Sequence, residues 1–207
     1  MNKSSVVLFG GSFDPVHLGH LFLLHCAISM TDYHSFLIVP AKLSNFKRDS
    51  VPKASDKDRL EMLRLALMDY NDIYSQDFSC NSTNPDIRIS TMELDRGGIS
   101  YTSDTVKSLK ESGYEKIGLL IGDDHIEGLT RWHDFEYIRD NVEFLICRRN
   151  AQGPLWDNLP KGIKYKALEP ENVSPQSSSA VRSDVNGNLE YLSERVREYV
   201  KAKHLYV

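Results

Sequence analysis

The sequence predicts an α/β protein built on a doubly wound, mostly parallel sheet, and three observations carry that expectation. Apolar runs near residues 5–9, 35–39, 87–94, 117–121, 142–147 and 163–168 read as strands and alternate with helix-compatible segments, as in sheets joined by helical crossovers. The first run, Ser5–Phe9, stops at Gly10 and Gly11, and after a proline-bearing loop the segment Leu18–Met30 continues as a helix. At 207 residues, 41% of them hydrophobic, the chain has the length and composition for one such domain with a full core.

Bulk properties exclude several classes. Lys and Arg total 25 against 29 Asp and Glu, a net charge of −4, so the basic field that duplex binding needs is missing and no nucleic-acid partner is expected. Cys26, Cys80 and Cys147 are far apart and form no CxxC, so neither a zinc knuckle nor a disulfide framework is expected, and no metal-ligating set is assigned. No apolar run approaches the roughly 18 residues a membrane helix needs, and a cytoplasmic protein without a membrane partner is expected.

The first strand, loop and helix together make an anion site, because the opening turn of a helix leaves backbone N–H groups unpaired and carries partial positive charge. Gly10, Gly11, Ser12 and Phe13 form the loop, and its glycines allow a phosphate to approach the backbone. His17 and His20 are three apart, so both imidazoles fall on one face of the first turn and address the same oxygens. The loop is neither GxxxxGK[ST] nor GxGxxG, which argues against a P-loop and a dinucleotide fingerprint.

After a second strand ended by Pro40, the loop 41–53 carries Lys42, Lys47, Arg48 and Lys53, cations that suit phosphate or solvent equally. Ser55 with Asp58 three residues on reads as a helix start, Leu60, Leu63 and Leu67 as its apolar stripe, and Asp58 and Arg59 as structural. Residues 71–86 read as a polar connector and 87–94 as the third strand. Asp95–Gly98 turns the chain, and Ser100–Thr105 opens another helix, hence a second potential anion site. The strand 117–121 runs straight into Gly122–His125, where acids often meet ribose hydroxyls or a metal. Arg148 and Arg149 end the next strand, facing phosphate or water with equal weight. Ser177, Ser178 and Ser179 precede Arg182 at a helix start, a combination of hydroxyls, backbone donors and a forked cation that suits a triphosphate. Leu189, Leu192, Val196, Tyr199 and Val200 supply the last amphipathic helix.

The string GGSFDPVHLGH, with Glu93–Arg96, Ser100–Thr105, Gly122–Asp124, Ser177–Arg182 and the ending His204–Tyr206, resembles the HxGH nucleotidyltransferases, in the branch similar to nicotinate-nucleotide adenylyltransferases. The resemblance implies a Rossmann-like sheet of order 3-2-1-4-5 with a sixth strand at the edge. It also implies a single domain over residues 1–207, with 175–207 a C-terminal helical phosphate-binding element. The implied reaction is attack of the 5′-phosphate of nicotinate mononucleotide on the α-phosphorus of ATP, giving nicotinate adenine dinucleotide and pyrophosphate in NAD biosynthesis.

By the same resemblance His17, His20 and Arg182 serve catalysis, and Mg²⁺ accompanies ATP. Gly10, Gly11, Ser12, Phe13, Gly122, Asp124, Ser178 and Ser179 bind ATP. Lys47, Tyr101, Thr102, Asp104 and Trp132 bind the acceptor, with the N–H groups near Tyr101 and Thr102 receiving its carboxylate. The chain departs from the family at Gln176, at Ser179, at Asp123 and His125, and at Asn45–Lys47, which keeps only the lysine of a longer run. A transferase acting on nicotinamide mononucleotide, phosphopantetheine or a cytidylyl acceptor, and a nucleotide-binding module without turnover, are the alternatives. The sequence leaves a homo-oligomer open.

Overall fold

The computed structural model describes residues 5–44, 51–74, 85–149, 156–173 and 176–207. Its main sheet contains β1 (Ser5–Gly11), β2 (Ser35–Pro40), β4 (Asp86–Ile89), β6 (Lys116–Gly122), β7 (Glu143–Cys147) and β8 (Tyr165–Leu168). They lie in the order β4-β2-β1-β6-β7-β8, every neighbouring pair parallel. Counted along these six strands, this is the expected 3-2-1-4-5 arrangement with a sixth strand at the edge. A second, two-stranded ribbon pairs β3 (Leu43–Ser44) with β5 (Ile99–Ser100).

The central strands are continuous apolar runs because both faces are covered. On β1, Val6 and Leu8 face one core and Val7 and Phe9 the other, all at most 5% exposed. The Val7 face packs under α1 (Leu18–Met30), α2 (Asp56–Tyr74), α6 (Ser178–Ser183) and α7 (Glu194–Ala202). The Val6 face packs under α4 (Thr102–Glu111), α5 (Phe135–Asn141) and a 3₁₀ segment, Asp123–Arg131. Cys26 and Cys147 are buried free thiols, and Cys80 lies outside the described residues.

The first strand runs on through Gly11 and the last starts at Tyr165, two residues from expectation in each case, and three boundaries differ in kind. The third strand stops at Ile89, and Met92–Arg96 forms a short helix, α3, because the Thr91 hydroxyl donates to the Asp95 carboxylate at 2.6 Å across a turn closed by the Asp95 N–H on the Thr91 carbonyl. The helix from Asp56 runs on to Tyr74, well into the expected connector. Its last turns bury Tyr70 completely and stack Tyr74 on His25 of α1 at 3.9 Å. The final helix starts at Glu194 rather than near Leu189, and Asn186–Tyr191 is a separate 3₁₀ segment. That start is set by buried Asp69 of α2, which accepts the Arg195 N–H at 2.9 Å and its guanidinium at 2.5 Å.

The loop after β1 is anchored from three directions. Asp14, 3% exposed, accepts the N–H groups of Lys53 and Ala54 at 2.8 and 3.0 Å and the Tyr206 hydroxyl at 2.8 Å. Arg59, fully buried, donates to the carbonyls of Ser12 and Ala41, both at 2.7 Å, and pairs with Asp56. Such a charge tolerates burial because both outer nitrogens of its fork are bonded and paired, which supports the structural reading of Arg59.

Candidate active site

A cleft of about 360 Å³ opens beyond the carboxyl ends of β1 and β6, where the strand order reverses and parallel sheets bind their ligands. Gly10, Gly11, Ser12 and Phe13 line one wall. A Cβ on Gly10 would meet no atom within 4 Å, whereas one on Gly11 would press on the Phe13 ring at 3.1 Å. Gly10 therefore leaves backbone open to the cleft, and Gly11 seats the aromatic ring that backs the loop.

Both histidines line the cleft, their ring centroids 3.8 Å apart. The helix begins at Leu18, where the sequence places it, with His17 as its N-cap. The His17 N–H donates to Nδ1 of His20 at 3.2 Å. That nitrogen is therefore an acceptor, and the neutral His20 ring carries its proton on Nε2 as a donor. Gly19 between them is required by close approach, since a Cβ there would stand 3.0 Å from the His17 ring and 3.3 Å from the Gln176 carbonyl.

His17 is 4% exposed, and burial first, then Arg149 and Arg182, push its pKa down to about 3 from 6.5. Unfolded chain takes up this proton near pH 6.5 and folded protein only near pH 3. The stability contributed by the neutral ring is thus whole above 6.5 and drains as pH falls towards 3. Denaturant titrations near pH 6.5 and near pH 5 should differ by about 1.6 kcal/mol from this group. His17→Asn should remove that component. Glu93, raised by burial above its ordinary 4.5, works with the opposite sign and is common to both proteins.

The opposite wall comes from β6, β7 and α6. Asp124 and Arg149 line the cleft and pair at 3.2 Å, and Arg149 also donates through Nη2 to the Gln176 carbonyl at 2.6 Å. Gly122 is enclosed by this pair, with a Cβ placed 2.3 Å from Asp124 Oδ1 and 2.6 Å from Arg149 Cδ. Asp123, 1% exposed, accepts the Arg149 N–H at 3.1 Å and so ties the ends of β6 and β7 together. Ser177 caps α6, accepting the Ala180 N–H at 3.2 Å, and lines the cleft with Ser178 and Ser179. The Ser178 hydroxyl donates to the Pro15 carbonyl at 2.9 Å, which docks α6 on the histidine loop. Arg182 stands behind this wall rather than in its lining, with Nη1 on the Asp14 carbonyl at 2.6 Å and Nη2 on the Ser179 hydroxyl at 3.1 Å.

On the third side, α4 starts at Thr102 with Tyr101 as N-cap, and Thr102 lines the cleft. Tyr101 turns its ring onto His133, 4.1 Å between centroids, and neither Tyr101 nor Asp104 is part of the lining. Trp132 lines the cleft with His125 edge-on to it at 5.9 Å. Lys47 lies outside the described residues.

Sequence reasoning assigned no role to several lining residues. Glu93, 6% exposed, accepts the Thr105 hydroxyl at 2.6 Å and is held with its pKa raised by burial, against the pull of Thr105, Ser100 and Arg96. Ser44 and Ser100 enter through the β3–β5 ribbon, where the Lys42 N–H donates to the Ser100 hydroxyl at 2.9 Å. Arg149 was visible only as a cation at a strand end, a signal shared with any solvated terminus. Among the described residues no cluster of three or more His, Cys, Asp or Glu side chains is arranged to hold a metal ion.

Comparisons with known proteins agree with this geometry. The cytidylyltransferase-like family matches residues 8–184. A protein described as probable nicotinate-nucleotide adenylyltransferase from Treponema pallidum is 32% identical, the match covering 97% of this chain and 98% of that one. One of the same description from Salmonella arizonae is 33% identical, with 99% of each covered. Among solved structures, a Plasmodium falciparum nicotinic acid mononucleotide adenylyltransferase complexed with NaAD superposes with a TM-score of 0.76 over 98% of this chain and 97% of that one. At 22% identity, this last likeness is one of fold. The chain belongs to the cytidylyltransferase-like family, on its nicotinate-nucleotide adenylyltransferase branch.

Proposed function

We propose that this protein joins the AMP part of ATP to nicotinate mononucleotide, forming nicotinate adenine dinucleotide and pyrophosphate in NAD biosynthesis. The observation that carries the reading is the cleft itself, which brings His17 and His20 at a helix start face to face with Asp124 and Ser177–Ser179 across the switch point. An oxygen of the acceptor phosphate attacks the α-phosphorus of ATP, the bond from that phosphorus to the bridging oxygen breaks, and pyrophosphate leaves. The acceptor is its own nucleophile, so the protein's task is alignment and charge stabilisation.

His20, with Nδ1 occupied, offers Nε2–H to an α- or β-phosphate oxygen, and His17 lies against it beside the open Gly10 backbone. Ser178 and Ser179 hold the outer phosphates, with Arg182 behind them on the Ser179 hydroxyl adding positive charge, and Asp124 holds the ribose. ATP enters as its magnesium complex, the ion held chiefly by phosphate oxygens and water. The first turn of α4 leaves N–H groups without helical partners, and an acceptor carboxylate there is favoured over a neutral amide by up to about 1–2 kcal/mol. No helix among the described residues is long and apolar enough to cross a membrane.

The test is pyrophosphate release by the purified protein with ATP and Mg²⁺, comparing nicotinate and nicotinamide mononucleotide at equal concentration. Release with a preference for the acid is expected. Equal rates would remove the carboxylate argument, and silence with both, despite ATP binding, would favour a nucleotide-binding module.

A further inference from the structure

Among the described residues, Arg149 is the one lining the cleft whose guanidinium touches two separate parts of the nucleotide site. Its Nη1 meets the Asp124 carboxylate at 3.2 Å, at the end of β6, and its Nη2 meets the Gln176 carbonyl at 2.6 Å, just ahead of the serines that open α6. Its own N–H is fixed by buried Asp123 at 3.1 Å, so the side chain starts from a rigid point. Among the described residues the buried Nε has no hydrogen-bond partner, which leaves the fork's two outer nitrogens as its working donors. Gly122 beneath it leaves room for this crossing, since a Cβ there would overlap both members of the pair. The same Gln176 carbonyl lies 3.3 Å from where a Cβ on Gly19 would stand, so the clamp closes onto the turn carrying His17 and His20.

We propose that Arg149 is a positioning residue that clamps the ribose end of the nucleotide site to its phosphate end. Resting on the function proposed above, this assigns to one side chain the registration of Asp124 against the α6 serines, and through it the alignment of the α-phosphorus with the acceptor. A planar fork spans two acceptors at fixed angles; a lysine ammonium at that position retains the charge but does not hold both at once.

The experiment measures ATP–Mg²⁺ affinity by calorimetry without acceptor, together with steady-state kinetics, for wild type, Arg149→Lys, Asp124→Asn and the double variant. Arg149→Lys should weaken ATP binding at least about tenfold, keep KM for nicotinate mononucleotide within about twofold, and leave the unfolding midpoint within a few degrees. The double variant should be no weaker than the worse single one, because the two residues act through one contact. Wild-type ATP affinity in Arg149→Lys, strictly additive losses in the double variant, or an equal loss of acceptor affinity would each overturn the clamp. Calorimetry reads ATP binding whether or not turnover occurs. An inactive wild type that binds ATP would refute the proposed function while the clamp is still judged.

Discussion

His20→Ala is expected to lower turnover by about 10² to 10³ while the protein stays folded, the loss typical of removing one aimed donor from a developing charge. The hydrogen bond from the His17 N–H leaves the donor at Nε2, so the ring gives a directed N–H without needing a positive charge. The side chain is only half-buried, lying 4.9 Å from the Phe13 ring and 3.8 Å from the His17 ring between centroids, so truncation opens little core. His20→Asn separates the ring's two jobs. Its amide oxygen reproduces the acceptor for the His17 N–H but puts no donor where Nε2 stood, and the loss should be of similar size. Pyrophosphate release and an unfolding curve check both; near-normal turnover in a folded His20→Ala would end this assignment.

Gly122→Ala is expected to raise KM for ATP by one to two orders of magnitude with the unfolding midpoint almost unchanged. A Cβ there would stand 2.3 Å from Asp124 Oδ1 and 2.6 Å from Arg149 Cδ, distances no native packing allows. Both obstacles are outer parts of cleft side chains, so β6 keeps its register while the two side chains turn away. The methyl thus acts on the ribose carboxylate and the cation beside it together. Kinetics with ATP varied at saturating acceptor, alongside thermal unfolding, distinguish this from a folding defect. A large drop in midpoint would show that the backbone of β6 had yielded instead.

The expected strands correspond closely to the observed ones at β1, β2, β6 and β7 because a strand buried on both faces must be apolar throughout, and such runs are legible without partners. The loop after β1 was equally legible, since a strand, two glycines and a helix start dictate the local backbone. Boundaries set by distant contacts were not. Nothing near Asn71 announces that Tyr74 stacks on His25, and nothing near Leu189 reveals that Asp69 sets the first turn of α7. The same holds for Arg182, whose forked cation was plain in sequence, whereas its engagement with the Asp14 carbonyl was not.

What the sequence determined by itself was local and periodic: the alternation of strands and helices, the glycine loop, the helix starts at His17, Tyr101 and Ser177, and the residue types an anion site needs. Only the tertiary structure decided which of them share the cleft and which stand behind it. It placed Arg149 on Gln176 and Asp124, buried Glu93 beside Thr105, and made the β3–β5 ribbon that brings in Ser44 and Ser100. The physical reason is that parallel crossovers set residues far apart in the chain side by side, as β1 and β6 are. A side chain's partners, and hence its charge state and task, follow from that placement.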